Sequence, residues 1–198
     1  MASYTEACFP NLKPNEYQII SDRTIEYNCV AWAAGNSDHW WWPDNQSIYY
    51  WPEGAPRLET VNGFVETFRG LGYEPCDSDQ YEPGFEKVAL YADEATGAPK
   101  HMARQVESGI WTSKLGPQHD IEHRTLSGLE GDEYGKVVLI MRRPHIQGVS
   151  QNGSSLLRVG TTGGSASQSV SDLSLSYPSR RYYTATGRTS RPAYGLGP

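Results

Sequence analysis

Cys29 and His101 are the residues of this 198-residue chain whose types and order fit covalent chemistry. Cys29 stands in Tyr27-Asn28-Cys29-Val30-Ala31-Trp32-Ala33-Ala34-Gly35, and His101 follows much later in Pro99-Lys100-His101-Met102-Ala103-Arg104-Gln105. A thiol is a poor nucleophile until it loses its proton, and free N–H groups in the first turn of a helix together with a nearby imidazole promote that loss. Cys29 as nucleophile and His101 as general base would therefore form a dyad. The competing reading is packing, because cysteine is among the most buried residue types and Val30-Ala31-Trp32-Ala33 has the character of a core.

An imidazole base needs a polar neighbour to fix its tautomer. Ser113, in Trp111-Thr112-Ser113-Lys114-Leu115, is in the right place on a returning strand but is a weak charge stabiliser. Asp120, in Gln118-His119-Asp120-Ile121-Glu122-His123, has the right chemistry and is the preferred third member, with His123 and Glu122 behind it. The same Asp120 to His123 run reads equally as a helix start capped by Asp120. Trp40, Trp41 and Trp42, with Trp111, are candidates for a substrate platform, although such clusters are more often packing. Cys29, Cys76, His101, His119 and His123 are all able to ligate zinc, yet no CxxC, HExxH or HxH spacing occurs, so neither a metal nor a cofactor is expected. Gly160 to Gly164 lacks a following Lys-Ser/Thr and is no phosphate loop.

The elements that must position these residues can be read from local pattern. Residues 1–24, with Pro10 and Pro14, read as an extended lead-in. Asn28 is an N-cap candidate for a short helix stopped by Gly35. After an aromatic loop at 36–58, Thr60 caps a second helix whose Val61, Phe64, Val65, Phe68 and Leu71 fall at helical spacing, ended by Gly70 or Gly72. Beyond Tyr73 the pattern changes to short runs at 87–92, 101–106 and 110–115, the last two joined by a tight bend at Glu107-Ser108-Gly109, and a fourth run at 136–141 closes the sheet. The expected fold class is α+β, with helices ahead of and packed on a small antiparallel sheet.

Size and charge set the outer limits. The chain has enough residues for one core, assigned to 1–147, and a Ser/Thr/Gly-rich tail at 148–198 expected to be mostly disordered. Residues 1–147 hold 12 Lys and Arg against 22 Asp and Glu, while the tail holds five Arg and one Asp. So acidic a body argues against nucleic acid as ligand. Tyr177, Tyr182, Tyr183 and Tyr194, set among the arginines, make the tail a candidate docking element for another protein. No apolar run reaches the roughly 20 residues that span a bilayer, so no membrane partner is expected. An odd count of three cysteines and an N-terminus without a basic or apolar signal region point to the cytoplasm, although a substrate of a specialised secretion machine would look the same.

Taken together, the Tyr27 to Gly35 block, Trp40-Trp41-Trp42-Pro43, Glu86 to Tyr91, His101 to Gln105, Trp111 to Gly116 and Asp120 to His123 resemble an uncharacterised family that has no assigned activity. More distantly, the order of Cys-bearing helix, second helix, strand, His-bearing strand and returning strand resembles papain-like cysteine hydrolases, including cell-wall amidases of the NlpC and CHAP kinds. That resemblance implies a papain-like domain acting on a peptide or amide substrate, with Cys29 attacking the carbonyl and His101 shuttling the proton. The chain departs from it by placing Ser113 where a more basic or acidic orienter is usual. It also lacks a Gln a few residues ahead of the cysteine, which leaves Asn28 or the Cys29 N–H for the oxyanion. The alternative is a non-enzymatic binding module that uses the aromatic loop 36–58.

Overall fold

Helix starts follow their caps. In the computed structural model, which describes residues 4–145, the Asn28 side chain accepts the Ala31 N–H at 3.1 Å and opens a helix at Cys29–Ala33. Gly35, at φ +82°, ends it in the left-handed conformation that glycine adopts most easily. Thr60 likewise accepts the Gly63 N–H at 3.1 Å and opens the ten-residue helix Val61–Gly70, whose Phe64 and Phe68 are buried. The lead-in is not merely extended: it forms a helix at Tyr4–Cys8 and a strand at Tyr17–Ile19. These three helices are α1 (Tyr4–Cys8), α2 (Cys29–Ala33) and α3 (Val61–Gly70).

Among the described residues, seven strands form one antiparallel sheet. They are β1 (Tyr17–Ile19), β2 (Glu74–Cys76), β3 (Phe85–Ala92), β4 (Pro99–Gln105), β5 (Trp111–Lys114), β6 (Asp120–His123) and β7 (Lys136–Pro144), in the spatial order β1-β6-β5-β4-β3-β7-β2. The sheet is thus larger than the four strands expected, and β7 does not close it. β7 lies between β3 and the edge strand β2, paired with β3 from Phe85↔Pro144 to Ala92↔Lys136. The strands missed by sequence pattern are short, and β2 carries Pro75, which reads as a breaker but is tolerated at a sheet edge. Asp120 to His123 is strand β6, not a helix start, because Ile121 and His123 bury one face while pairing with Ser113 and Trp111 of β5.

Alternation along the strands divides the core between two sheet faces. Val88, Leu90, Met102 and Met141 join Val30, Ala31, Phe64 and Phe68 of α2 and α3 in one apolar cluster. Ala89, Tyr91, Ala103, Trp111 and Ile121 join Phe9, Leu12, Leu126 and Leu129 in the other, the last two from a 3-10 turn at Leu126–Leu129. Both faces of the central strands are therefore covered, which explains why β3 is buried without a break from Lys87 to Ala92. The loop 36–58 contributes Trp41, Trp42 and Trp51 to the first cluster, with Trp42 and Trp51 edge-on to Phe64 at 5.7 and 5.4 Å. The expectation for the tail at 148–198 lies outside the described residues. Among these, no helix is long and apolar enough to cross a membrane.

Candidate functional site

Cys29 is the first residue of α2 and is buried in the α2-face cluster beside Met102. Burial pushes its thiol up to about 11, opposed by backbone N–H groups of Met102, Val30 and Cys29 itself and by the Lys114 ammonium. At neutral pH the resting group is a protonated thiol held among N–H donors.

His101 leaves β4 on the opposite face from Met102. Its ring stacks on Tyr134 with centroids 4.0 Å apart and meets the edge of Tyr91 at 5.3 Å. Its Nε2 is 3.0 Å from Ser113 Oγ, which is 2.9 Å from His123 Nε2, and His123 Nδ1 is 2.9 Å from the Thr125 carbonyl oxygen. The direction of this chain follows from its end, since a carbonyl only accepts. His123 must donate Nδ1–H to Thr125, so its Nε2 is bare and accepts the Ser113 hydroxyl proton. Ser113 then accepts Nε2–H from His101. The network thus assigns His101 a bare Nδ1, and that atom is buried without a hydrogen-bond partner among the described residues. Burial holds both rings neutral: His101 titrates well below its ordinary value, chiefly through desolvation with a contribution from His123, and desolvation lowers His123 to about 4.

The structure does not join the expected dyad by a hydrogen bond. His101 Nε2 is engaged by Ser113 and Nδ1 by nothing, so neither ring nitrogen meets Cys29. The two groups are nevertheless anchored one residue apart on β4, because the sulfur lies at the N–H of Met102.

The preference for Asp120 as the group on the imidazole is reversed. Ile121 and His123 point to the His101 face, and Asp120, one position away, points to the α2 face. There its Oδ2 accepts the Tyr27 hydroxyl at 2.5 Å, and Oδ1 has no partner among the described residues. Lys114 shares this face, fully buried, donating to the Gln118 carbonyl and lying 5.3 Å from the Tyr27 ring. Burial lowers the Lys114 ammonium, with Asp120 and Cys29 acting in the other direction. Nothing in a lone lysine between Ser113 and Leu115 announced this buried group.

Asn28 is spent on structure: besides capping α2, it accepts the Trp41 N–H at 3.1 Å and donates Nδ2–H to the Trp41 carbonyl at 2.7 Å. It is not free to bind an oxyanion. Of the expected platform, Trp41, Trp42 and Trp111 are core and Trp40 is half-buried, ring to ring with Tyr49 at 6.2 Å. The loop exposes Ile48, Tyr49 and Tyr50 instead. Among the described residues no group of three His, Cys, Asp or Glu is arranged to hold a metal ion.

No curated protein and no solved structure matches the chain. A family profile does, over residues 18–142, a span that takes in α2, the aromatic loop and the Ser113-linked histidines. The chain belongs to the family described as a domain of unknown function (DUF7689).

Proposed function

We propose that the protein is a thiol-dependent amide hydrolase of papain-like type, in which Cys29 is the nucleophile and His101 Nδ1 the base. The observation that supports this reading is the directed chain from His101 through Ser113 and His123 to the Thr125 carbonyl. It holds the ring in one tautomer and leaves one bare nitrogen, which is what a base needs from an orienting group. In the proposed reaction His101 Nδ1 takes the thiol proton as Sγ adds to the amide carbonyl carbon. Backbone N–H groups at the start of α2 receive the oxyanion. The C–N bond breaks as His101 returns the proton to the leaving amine, and water then cleaves the acyl thioester with His101 again as base. Cys29 lies in the α2-face cluster and His101 on the other face of β4, so Sγ and Nδ1 are brought together only by a shift of the α2 start against β4 when substrate binds.

The test is the pH profile of Cys29 alkylation by iodoacetamide in a Cys8→Ser/Cys76→Ser background. An imidazole-assisted thiol reacts with a plateau below about pH 8 that His101→Ala abolishes. A rate that climbs only toward the thiol value of about 11, alike with and without His101, sinks the proposal.

A second reading, a binding module, is favoured by the burial of Cys29 and by the loop 36–58. Asp44 accepts the N–H groups of Ile48 and Tyr49 at 2.8 and 3.1 Å, so Ile48, Tyr49 and Tyr50 are held outward on a rigid tip. In that reading Cys29 stays unreactive while folded and Cys29→Ser mainly lowers stability.

A further inference from the structure

Seven lysines and arginines among the described residues are buried or half-buried, and six of them have an acceptor. Arg57 has Asp44, Lys100 has Asp93, Arg142 has Glu82, and Arg143 has Glu86. Lys87 has Glu82 with the Ser78 and Gln80 carbonyls, and Lys114 has the Gln118 carbonyl. Arg104 is the exception. Its guanidinium lies over Trp32, 4.5 Å from the ring centroid, with no hydrogen bond and no carboxylate partner among the described residues.

That position is built. Trp32 donates its indole N–H to Thr112 Oγ1 at 3.0 Å, and the Thr112 hydroxyl donates to the Arg104 carbonyl at 2.9 Å. Gly35 passes so close that a Cβ there would stand 3.4 Å from Arg104 Nη1. Arg104 also lines a cleft of about 420 Å³ at the end of the sheet, together with Phe85, Glu86, Gln105, Ser108 and His145. A half-buried guanidinium held over an indole, on a residue that lines a cleft of ligand size and without a counter-ion among the described residues, calls for an anion.

We propose that Arg104 and this cleft bind a carboxylate, and that this carboxylate belongs to the acyl or peptide substrate. The planar fork of the guanidinium matches a carboxylate through two parallel hydrogen bonds. A phosphate dianion is disfavoured, because Glu86 and Glu107 line the same cleft and only one unpaired cation faces them. Glu86 is offset by Arg143 at 3.1 Å, and Glu107 stands 3.4 Å from His145. Arg104 is two residues beyond Met102 on the same face of β4, about 7 Å along the strand from the N–H that meets Cys29. A substrate bound there presents an amide within a residue or two of its acidic group to the thiol. The carboxylate site stands on its own geometry, whereas its service to a substrate rests on the hydrolase reading.

Titration of the full chain separates the two, with the Trp32 indole and Arg104 Nε–H resonances as readout. The probes are acetyl-Ala-Glu-amide, acetyl-Ala-Gln with a free C-terminus, acetyl-Ala-Gln-amide and inorganic phosphate. The first two distinguish a side-chain from a terminal carboxylate, and at least one must bind. The neutral peptide must not, and Arg104→Lys, which keeps the charge but loses the fork, must weaken binding roughly tenfold or more. Binding by phosphate alone, equal binding by the neutral peptide, unchanged affinity in Arg104→Lys or no binding by any probe overturns the site. Carboxylate binding with an inert Cys29 keeps the site and removes the hydrolase.

Discussion

Asn28 holds two stretches of chain with one side chain. Its Oδ1 accepts from Ala31 and from Trp41, and its Nδ2 donates to the Trp41 carbonyl, all out of water. The capping half was legible, because Asn immediately before a short apolar run is a helix-start signal. The loop half was not, since nothing local says which of 23 loop residues an amide 13 positions away will reach. Asn28→Ala removes a cap and strands a buried N–H and a buried carbonyl of Trp41, so it should cost about 2–4 kcal/mol of stability. Thr60→Ala, which removes only a cap at a partly exposed position, should cost about 1 kcal/mol. Urea unfolding of the two variants measures the difference, and equal losses would show that the Trp41 contacts contribute nothing.

The Ser113-linked histidines belong to an element and not to a residue, because three adjacent strands are needed to line them up. His101 comes from β4, Ser113 from β5 and His123 from β6, and β6 was the strand whose residues read equally as a helix start. Ser113 was placed correctly on the returning strand, but Asp120 was preferred to it as the group on the imidazole, an error of face that only the register Ser113↔Ile121 resolves. A pairing shifted by one residue would have put Asp120 toward His101. Both rings titrate lower folded than unfolded, so their neutral forms are compatible with the fold and their protonated forms are not. Stability is therefore full above the unfolded histidine value near 6.5 and falls as pH drops through that value toward the folded value of about 4 for His123. For His123 the shift corresponds to about 3 kcal/mol lost across that window. The urea midpoint should fall steeply between pH 6.5 and about 4, and His123→Gln should flatten the slope. A flat profile in the parent protein would mean that the rings are hydrated, and the assigned tautomers would lose their basis.

Across the whole molecule, acidic residues outnumber basic ones within 1–147, 22 to 12, so an unpaired half-buried cation is unexpected. Composition displayed the excess of acid, but it gave no hint that Arg104 would be left over, because each pairing depends on which face of the sheet a residue occupies. A half-buried charge without a partner among the described residues is a cost to the folded state, offset in part by its contact with the Trp32 ring, worth about 1–2 kcal/mol. Arg104→Met keeps an unbranched chain on the indole and discards the charge, so the variant should unfold at the same urea concentration as the parent or a higher one. Arg143→Met is the matched comparison on the same side of the sheet. It takes the partner from Glu86 and a donor from the Leu71 carbonyl, and these sites are partly screened by water, so about 1–3 kcal/mol should be lost. If Arg104→Met instead loses as much as Arg143→Met, the guanidinium is there for the fold and not for a ligand. A stable Arg104→Met protein that no longer binds the acidic peptides separates the two roles, since a group kept at a cost to stability is explained by what it binds.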